Sequence, residues 1–340
     1  MSKFRVALVG CGSMANIWVE YAIARKDVEI VALVDVVQDT AKKMAEKYQL
    51  ACQTFSDITS AIKETEANLV FDVTIPESHN DITVKALNLG CDVFGEKPMG
   101  TSMKEALMMV EAAKQTGKKY NVMQNRRYNS QIRELHHLVQ SGEIGEQGWI
   151  TADFFLDPHF GGFREKMESP LILDMAIHTF DQARFISGAN PVSVYCHEFN
   201  PTGSWYDGNA SAICIFEMDN GMVFNYRGSW SAIGAPTSWE SAWRVIGSKG
   251  TAIWDGANRP FAEIASPDES NPSHYKVKKV ETTSKWSGRE GHFGCLDEMF
   301  DALIEGRKAE TDCTDNLHSI SMVYKAIESA QTGKKIYFNR

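Results

Sequence analysis

Up to about residue 124 the chain alternates short apolar runs with amphipathic stretches, and few folds absorb such a pattern. A strand covered on both faces reads as an unbroken apolar run, and the segment joining two parallel strands must be long enough to hold a helix. Residues 6–9, 30–34, 69–74, 93–95 and 119–123 read as strands. Residues 15–24, about 40–48 and 82–89 read as helices, the last stopping at Gly90. Ser102 is placed to cap a further helix that ends before Gly117. Residues 1–123 therefore read as an α/β domain on a parallel sheet.

Beyond residue 124 the rhythm changes. A helix at 131–139 is followed by longer, alternating segments at 149–155, 192–198, 210–217, 222–230 and 243–246. Asp219-Asn220-Gly221 between two of them is a hairpin signal. Helices are expected at 172–186, 293–304 and 316–331, and a loose polar stretch around 266–273. Residues 124–340 thus read as an α+β domain with a largely antiparallel open sheet.

Bulk properties exclude several partners. The formal charge is -9, and the Lys and Arg residues are scattered, which argues against nucleic acid and against an anionic membrane surface. No apolar run approaches a membrane span, and the N-terminal residues lack the pattern of a signal peptide. Seven cysteines lie far apart without a CxxC pair, which suggests reduced thiols in a cytoplasmic protein and no thiolate metal site.

Gly10-Cys11-Gly12-Ser13-Met14-Ala15 fits G-x-G-x-x-G/A between a strand and a helix. Gly10 permits the tight turn, Gly12 lets the backbone approach a pyrophosphate, and Ala15 lets the helix pack on the sheet. The helix N-terminus offers N–H groups to the phosphates. Asp35 closes the second strand where a carboxylate receives the ribose hydroxyls of the adenosine. It would repel a 2′-phosphate, and Val36 and Val37 bring no cation, so NAD is expected over NADP.

Thr74-Ile75-Pro76-Glu77-Ser78-His79, then Gly95-Glu96-Lys97-Pro98, resembles the Gfo/Idh/MocA family of glucose–fructose oxidoreductases and inositol dehydrogenases. Leu173-Asp174-Met175-Ala176-Ile177-His178-Thr179-Phe180-Asp181 is similar to that family's second-domain helix. The resemblance implies a Rossmann domain followed by a sheet domain whose open face commonly joins subunits, giving a homodimer or homotetramer. It implies that Lys97, Asp174 and His178 surround the reacting carbon. It also implies that Thr74, Pro76 and His79 line the cofactor, with Glu96 near the nicotinamide and a cis bond at Lys97–Pro98. One departure is Ser169-Pro170, where the family usually has a glycine pair; it bears on loop shape and substrate choice.

The residue chemistry suits hydride transfer at a secondary alcohol. A base must take the hydroxyl proton and a cation must face the developing alkoxide. The expected base is His178 and the expected cation Lys97. Asp174, four residues earlier on a helix, shares a face with His178 and either orients the imidazole, binds a substrate hydroxyl, or both. Arg127 and Tyr128 either reach substrate or cofactor, or serve a salt bridge that links domains. Arg164 lies in a loop expected to close over substrate. The expected activity is NAD-dependent oxidoreduction of a sugar, inositol or polyol, with no metal. Two alternatives stay open: a retained-NAD epimerase or glycosidase, and a cofactor-sensing regulator.

Overall fold

The computed structural model describes residues 4–271, 273–282 and 286–338; residues 1–3 of the N-terminal run, and residue 272 of the expected polar stretch, lie outside them. The chain divides into two compact units, residues 1–125 with 289–320 and residues 126–288 with 321–340.

The first unit runs β1 (Phe4–Val9), α1 (Ala15–Ala24), β2 (Val28–Val34), α2 (Gln38–Tyr48), β3 (Gln53–Phe55), α3 (Ile58–Thr65), β4 (Leu69–Asp72), α4 (Pro76–Asn88), β5 (Asp92–Gly95), α5 (Met103–Thr116) and β6 (Tyr120–Val122). The six strands are parallel in the order β3-β2-β1-β4-β5-β6. Strand order reverses between β1 and β4, and the crevice beyond the carboxyl ends of strands at such a reversal is where open α/β sheets take ligands. Side-chain caps start the helices: Asp57 accepts from Ser60 N–H and Ser102 from Glu105 N–H. The sequence reading passed over β3 and α3. A three-residue strand is too short for a periodicity to register, although Asp57 is a legible cap.

The second unit opens with α6 (Ser130–Gln140) and β7 (Gln147–Phe155). A 3₁₀ turn at Gly162–Lys166 and a π-helical turn at Leu171–Ala176 lead into α7 (Ile177–Ser187). There follow β8 (Pro191–Phe199), β9 (Ser211–Met218), β10 (Val223–Ser229), β11 (Ala242–Gly247), β12 (Gly250–Trp254), β13 (Phe261–Pro267) and β14 (Tyr275–Glu281). Then α8 (Gly291–Glu305) returns to the first unit, α9 (Cys313–Thr332) passes from the first unit into the second, and β15 (Ile336–Tyr337) closes the chain. The second sheet has the order β14-β13-β12-β11-β7-β10-β9-β8-β15; β7 and β10 pair in parallel and the other neighbours antiparallel.

Assigning all of 124–340 to one domain differs from this division, and α8 supplies the reason. Phe300 is buried against Phe4, Tyr21, Phe71 and Phe94, with ring centroids 5.1–6.1 Å away, and Arg25 lies 4.3 Å over its face. The parallel sheet takes part of its core from sequence almost three hundred residues downstream. In the second unit Phe180 of α7 holds the corresponding place, edge-on to Phe216 at 5.0 Å and Tyr226 at 5.3 Å. The expected polar stretch at 266–273 falls at the β13–β14 hairpin. Six of the seven residues of β14 are exposed, so no alternation marked it as a strand.

Phe180→Ala is expected to cost about 3–5 kcal/mol of unfolding free energy, since the cavity forms in a closed aromatic cluster. Val277→Ala, on exposed β14, is expected to stay within about 0.5 kcal/mol. Urea unfolding of the two variants beside the parent chain checks both.

Candidate active site

In the first unit the turn after β1 lies against the residues that follow β4. Gly10 has φ +87°, and a Cβ there would stand 2.6 Å from the Val73 carbonyl oxygen and 2.8 Å from Thr74 N. Only glycine fits. Around Gly12 a Cβ would meet nothing within 4 Å, so the backbone is open to an approaching group. Main-chain bonding resumes at Ala15 N–H to the Gly12 carbonyl, and Ser13 and Met14 stand exposed ahead of α1. Asp35 Oδ2 accepts from Cys11 N–H at 2.9 Å and Oδ1 from Val37 N–H at 2.8 Å, which ties the end of β2 to the glycine turn. Each carboxylate oxygen has a second lone pair, so ribose hydroxyls can still be received. Val36 is 89% exposed and brings no charge. Glycine turn, helix N-terminus and carboxylate together fit a dinucleotide.

Further along the same edge, Thr74 Oγ1 donates to Asp72 Oδ1 at 2.6 Å, and Pro76 starts α4. The Lys97–Pro98 bond is cis. Glu96 is buried and accepts from Trp18 Nε1 at 2.9 Å and from Lys97 N–H at 3.2 Å, with His292 Nε2 3.6 Å away. Burial pushes its carboxyl up, but the hydrogen bond and charge of His292, with Trp18 and Lys97, outweigh burial and hold it below the ordinary value. Trp18 and His292 escaped the sequence reading. They lie far from Glu96 along the chain, and each alone reads as a core aromatic or a surface imidazole.

In the second unit Asp174 lies in the π-helical turn and His178 in α7. The expected helix at 172–186 thus begins with a widened turn, and such turns occur often at functional sites. Arg164 Nε donates to Asp174 Oδ2 at 2.7 Å, their side chains 37% and 20% exposed, while His178 is buried. The Arg164 guanidinium also lies 5.3 Å over Phe160 and 4.8 Å over Phe163, so the loop that carries it presents aromatic faces beside the ion pair. The segment before Ser169-Pro170 is pinned: Asp207 N–H donates to the Glu165 carbonyl and Asn209 N–H to that of Glu168. A Cβ at Gly208 would sit 2.2 Å from the Glu168 oxygen, so the close approach requires glycine. Glu198, also missed, accepts from Ser169 Oγ at 3.1 Å, and burial pushes its carboxyl up to about 7.

Against this geometry the two matches with known sequence families are specific. Residues 4–124 match the family described as an oxidoreductase family with an NAD-binding Rossmann fold, and residues 132–253 match the GFO/IDH/MocA C-terminal domain. The chain belongs to the GFO/IDH/MocA oxidoreductases. Inositol 2-dehydrogenase of Rhizobium meliloti (strain 1021) is 27% identical, covering 98% of each chain. D-glucoside 3-dehydrogenase of Escherichia coli (strain K12) is 30% identical over 60% of each. A crystal structure of an oxidoreductase from Agrobacterium radiobacter superposes with a TM-score of 0.84 at 21% identity, covering 99% of this chain and 98% of that one.

Within this GFO/IDH/MocA chain some expected site residues are buried and bonded to other protein groups. Arg127 is buried and grips Asp181 through Nε at 2.6 Å and Nη2 at 2.7 Å, an ion pair inside the second unit. Tyr128 is also buried, with Arg133 stacked 4.7 Å over its ring. His79, expected to line the cofactor, is 1% exposed and points both ring nitrogens at main-chain carbonyls.

Asp35→Ala removes the acceptor for Cys11 N–H and the charge that repels a 2′-phosphate. Fluorescence titration is expected to show weaker NAD binding and a preference for NAD over NADP reduced by about tenfold, the worth of one charged hydrogen bond.

Proposed function

We propose that this chain transfers a hydride between NAD and a secondary carbinol of a sugar, inositol or related polyol. The observation that carries the reading is the part-exposed Asp174 carboxylate, held by Arg164 four residues before His178, in a chain whose other unit is an NAD-binding Rossmann fold. NAD, when bound, supplies the hydride acceptor or donor. His178 takes the carbinol proton, and the Lys97 ammonium stabilises the alkoxide as it forms. Asp174 orients the imidazole or receives a neighbouring hydroxyl. The names of two relatives, inositol 2-dehydrogenase and D-glucoside 3-dehydrogenase, support the substrate class.

The same reading includes self-association. Trp149 on β7, Tyr195 on β8, and Ile213 and Ile215 on β9 are 42–47% exposed in the second sheet, with β10 between β7 and β9. Register places Tyr195 beside Ile215, and Trp149 beside Val223. An apolar patch on an open sheet face is the kind of surface that a second copy covers, with two-fold symmetry the commonest outcome. All seven cysteines are free, which supports a reducing, cytoplasmic setting. No helix among the described residues is long and apolar enough to cross a membrane.

A panel of polyols and sugars offered with NAD, followed by nicotinamide absorbance, identifies the substrate. Lys97→Ala and His178→Ala are each expected to lower turnover by about a hundredfold or more while NAD titrates as in the parent. Parental turnover in either variant removes that residue's assignment. Ile215→Glu is expected to lower the mass measured by light scattering to that of a smaller assembly, with an unchanged circular dichroism spectrum.

A further inference from the structure

His79 lies in the first turn of α4, 1% exposed. Its Nδ1 is 2.7 Å from the Pro98 carbonyl oxygen, and its Nε2 is 3.0 Å from the Thr74 carbonyl oxygen. A carbonyl oxygen only accepts. A neutral imidazole has one N–H, so it can satisfy one of these contacts and must set a lone pair against the other oxygen. With water excluded, that mismatch has nothing to relieve it.

The surroundings supply the opposite charge. Asp72, wholly buried at the end of β4, accepts from Thr74 Oγ1 at 2.6 Å and Thr74 N–H at 3.3 Å on Oδ1, and from Thr83 Oγ1 at 3.1 Å on Oδ2. Burial pushes its carboxyl above the ordinary value, and the charge of His79 with the Thr74 and Thr83 hydrogen bonds offsets only part of that rise. The other nearby acids are engaged or exposed. Glu105 Oε2 accepts from Thr101 N–H and Oγ1, Asp81 pairs with Lys85, and Glu77 is exposed.

We propose that His79 is a buried imidazolium, balanced by Asp72, that clamps the Pro98 carbonyl to the Thr74 carbonyl and so acts as a positioning residue for Lys97. The clamp joins the two stretches at the cofactor edge, the residues after β4 and the Lys97–Pro98 turn after β5. A neutral ring would hold one and release the other. The positioning of Lys97 rests on the hydride-transfer reading, whereas the protonation state does not.

The test is a long-range ¹H–¹⁵N spectrum of the ¹⁵N-labelled chain at pH 8, with ring signals assigned through the backbone. Both His79 nitrogens are expected to carry protons, and in Asp72→Asn the ring is expected to show one protonated and one bare nitrogen. A neutral pattern in the parent chain overturns the clamp, even if the Asp72 variant fails to fold. His79→Asn, which cannot reach both carbonyls, is expected to lower kcat by about tenfold or more with the sugar KM within twofold, because Lys97 is displaced. Parental kcat in a folded His79→Asn chain overturns the positioning role. A parent chain that turns over no sugar sinks the functional reading alone and leaves the spectrum to decide the clamp.

Discussion

The contact on which the cofactor edge depends is the one that admits no side chain, between Gly10 and the Val73–Thr74 peptide. Parallel strands β1 and β4 deliver two loops to the same end of the sheet, and a Cβ at Gly10 would drive them apart. Because they touch, Asp35 can bond Cys11 N–H from one side of the turn, while on the other Thr74 is close enough to Asp72 and His79 to be held by both. Substituting Gly10 would therefore disturb more than the phosphate cradle. It would shift the peptide that His79 bonds, and with it the register of the Lys97–Pro98 turn.

Two ion pairs in the second unit show how burial separates architecture from chemistry. Arg127 and Asp181 are bidentate and almost wholly enclosed, their side chains 6% and 2% exposed. Desolvation makes such a pair costly to break. Arg164 and Asp174 meet through one nitrogen and remain partly wet. Solvent screens that pair, so an arriving hydroxyl can compete for the carboxylate at modest cost. The sequence shows two Arg and two Asp residues in comparable loop and helix positions; their division of labour is set by depth.

What was legible in the sequence was local. The glycine turn, Asp35, Glu96-Lys97-Pro98 and the Asp174–His178 pair each occupy a few consecutive residues whose spacing has a direct mechanical meaning. The parallel sheet was legible because buried strands leave unbroken apolar runs. What escaped was set at long range or by exposure. Phe300 reads as one more apolar position of a C-terminal helix, and only the folded chain shows that it completes the core of the first unit. β14 carries lysines where alternation was needed. The partners of Arg127 and Glu96 are distant in sequence, so the reading could assign them charge and neighbourhood but not a bond.

His79 combines both situations. Its place after Thr74 and Pro76 marks it, by resemblance, as a cofactor-lining residue, and the structure buries it between two main-chain carbonyls. The sequence could not show that its two ring nitrogens face two acceptors from separate loops, or that Asp72 lies buried within the influence of its charge. A histidine in such a place serves as a brace rather than as a base, because a proton given up from either nitrogen breaks one of the two bonds it makes.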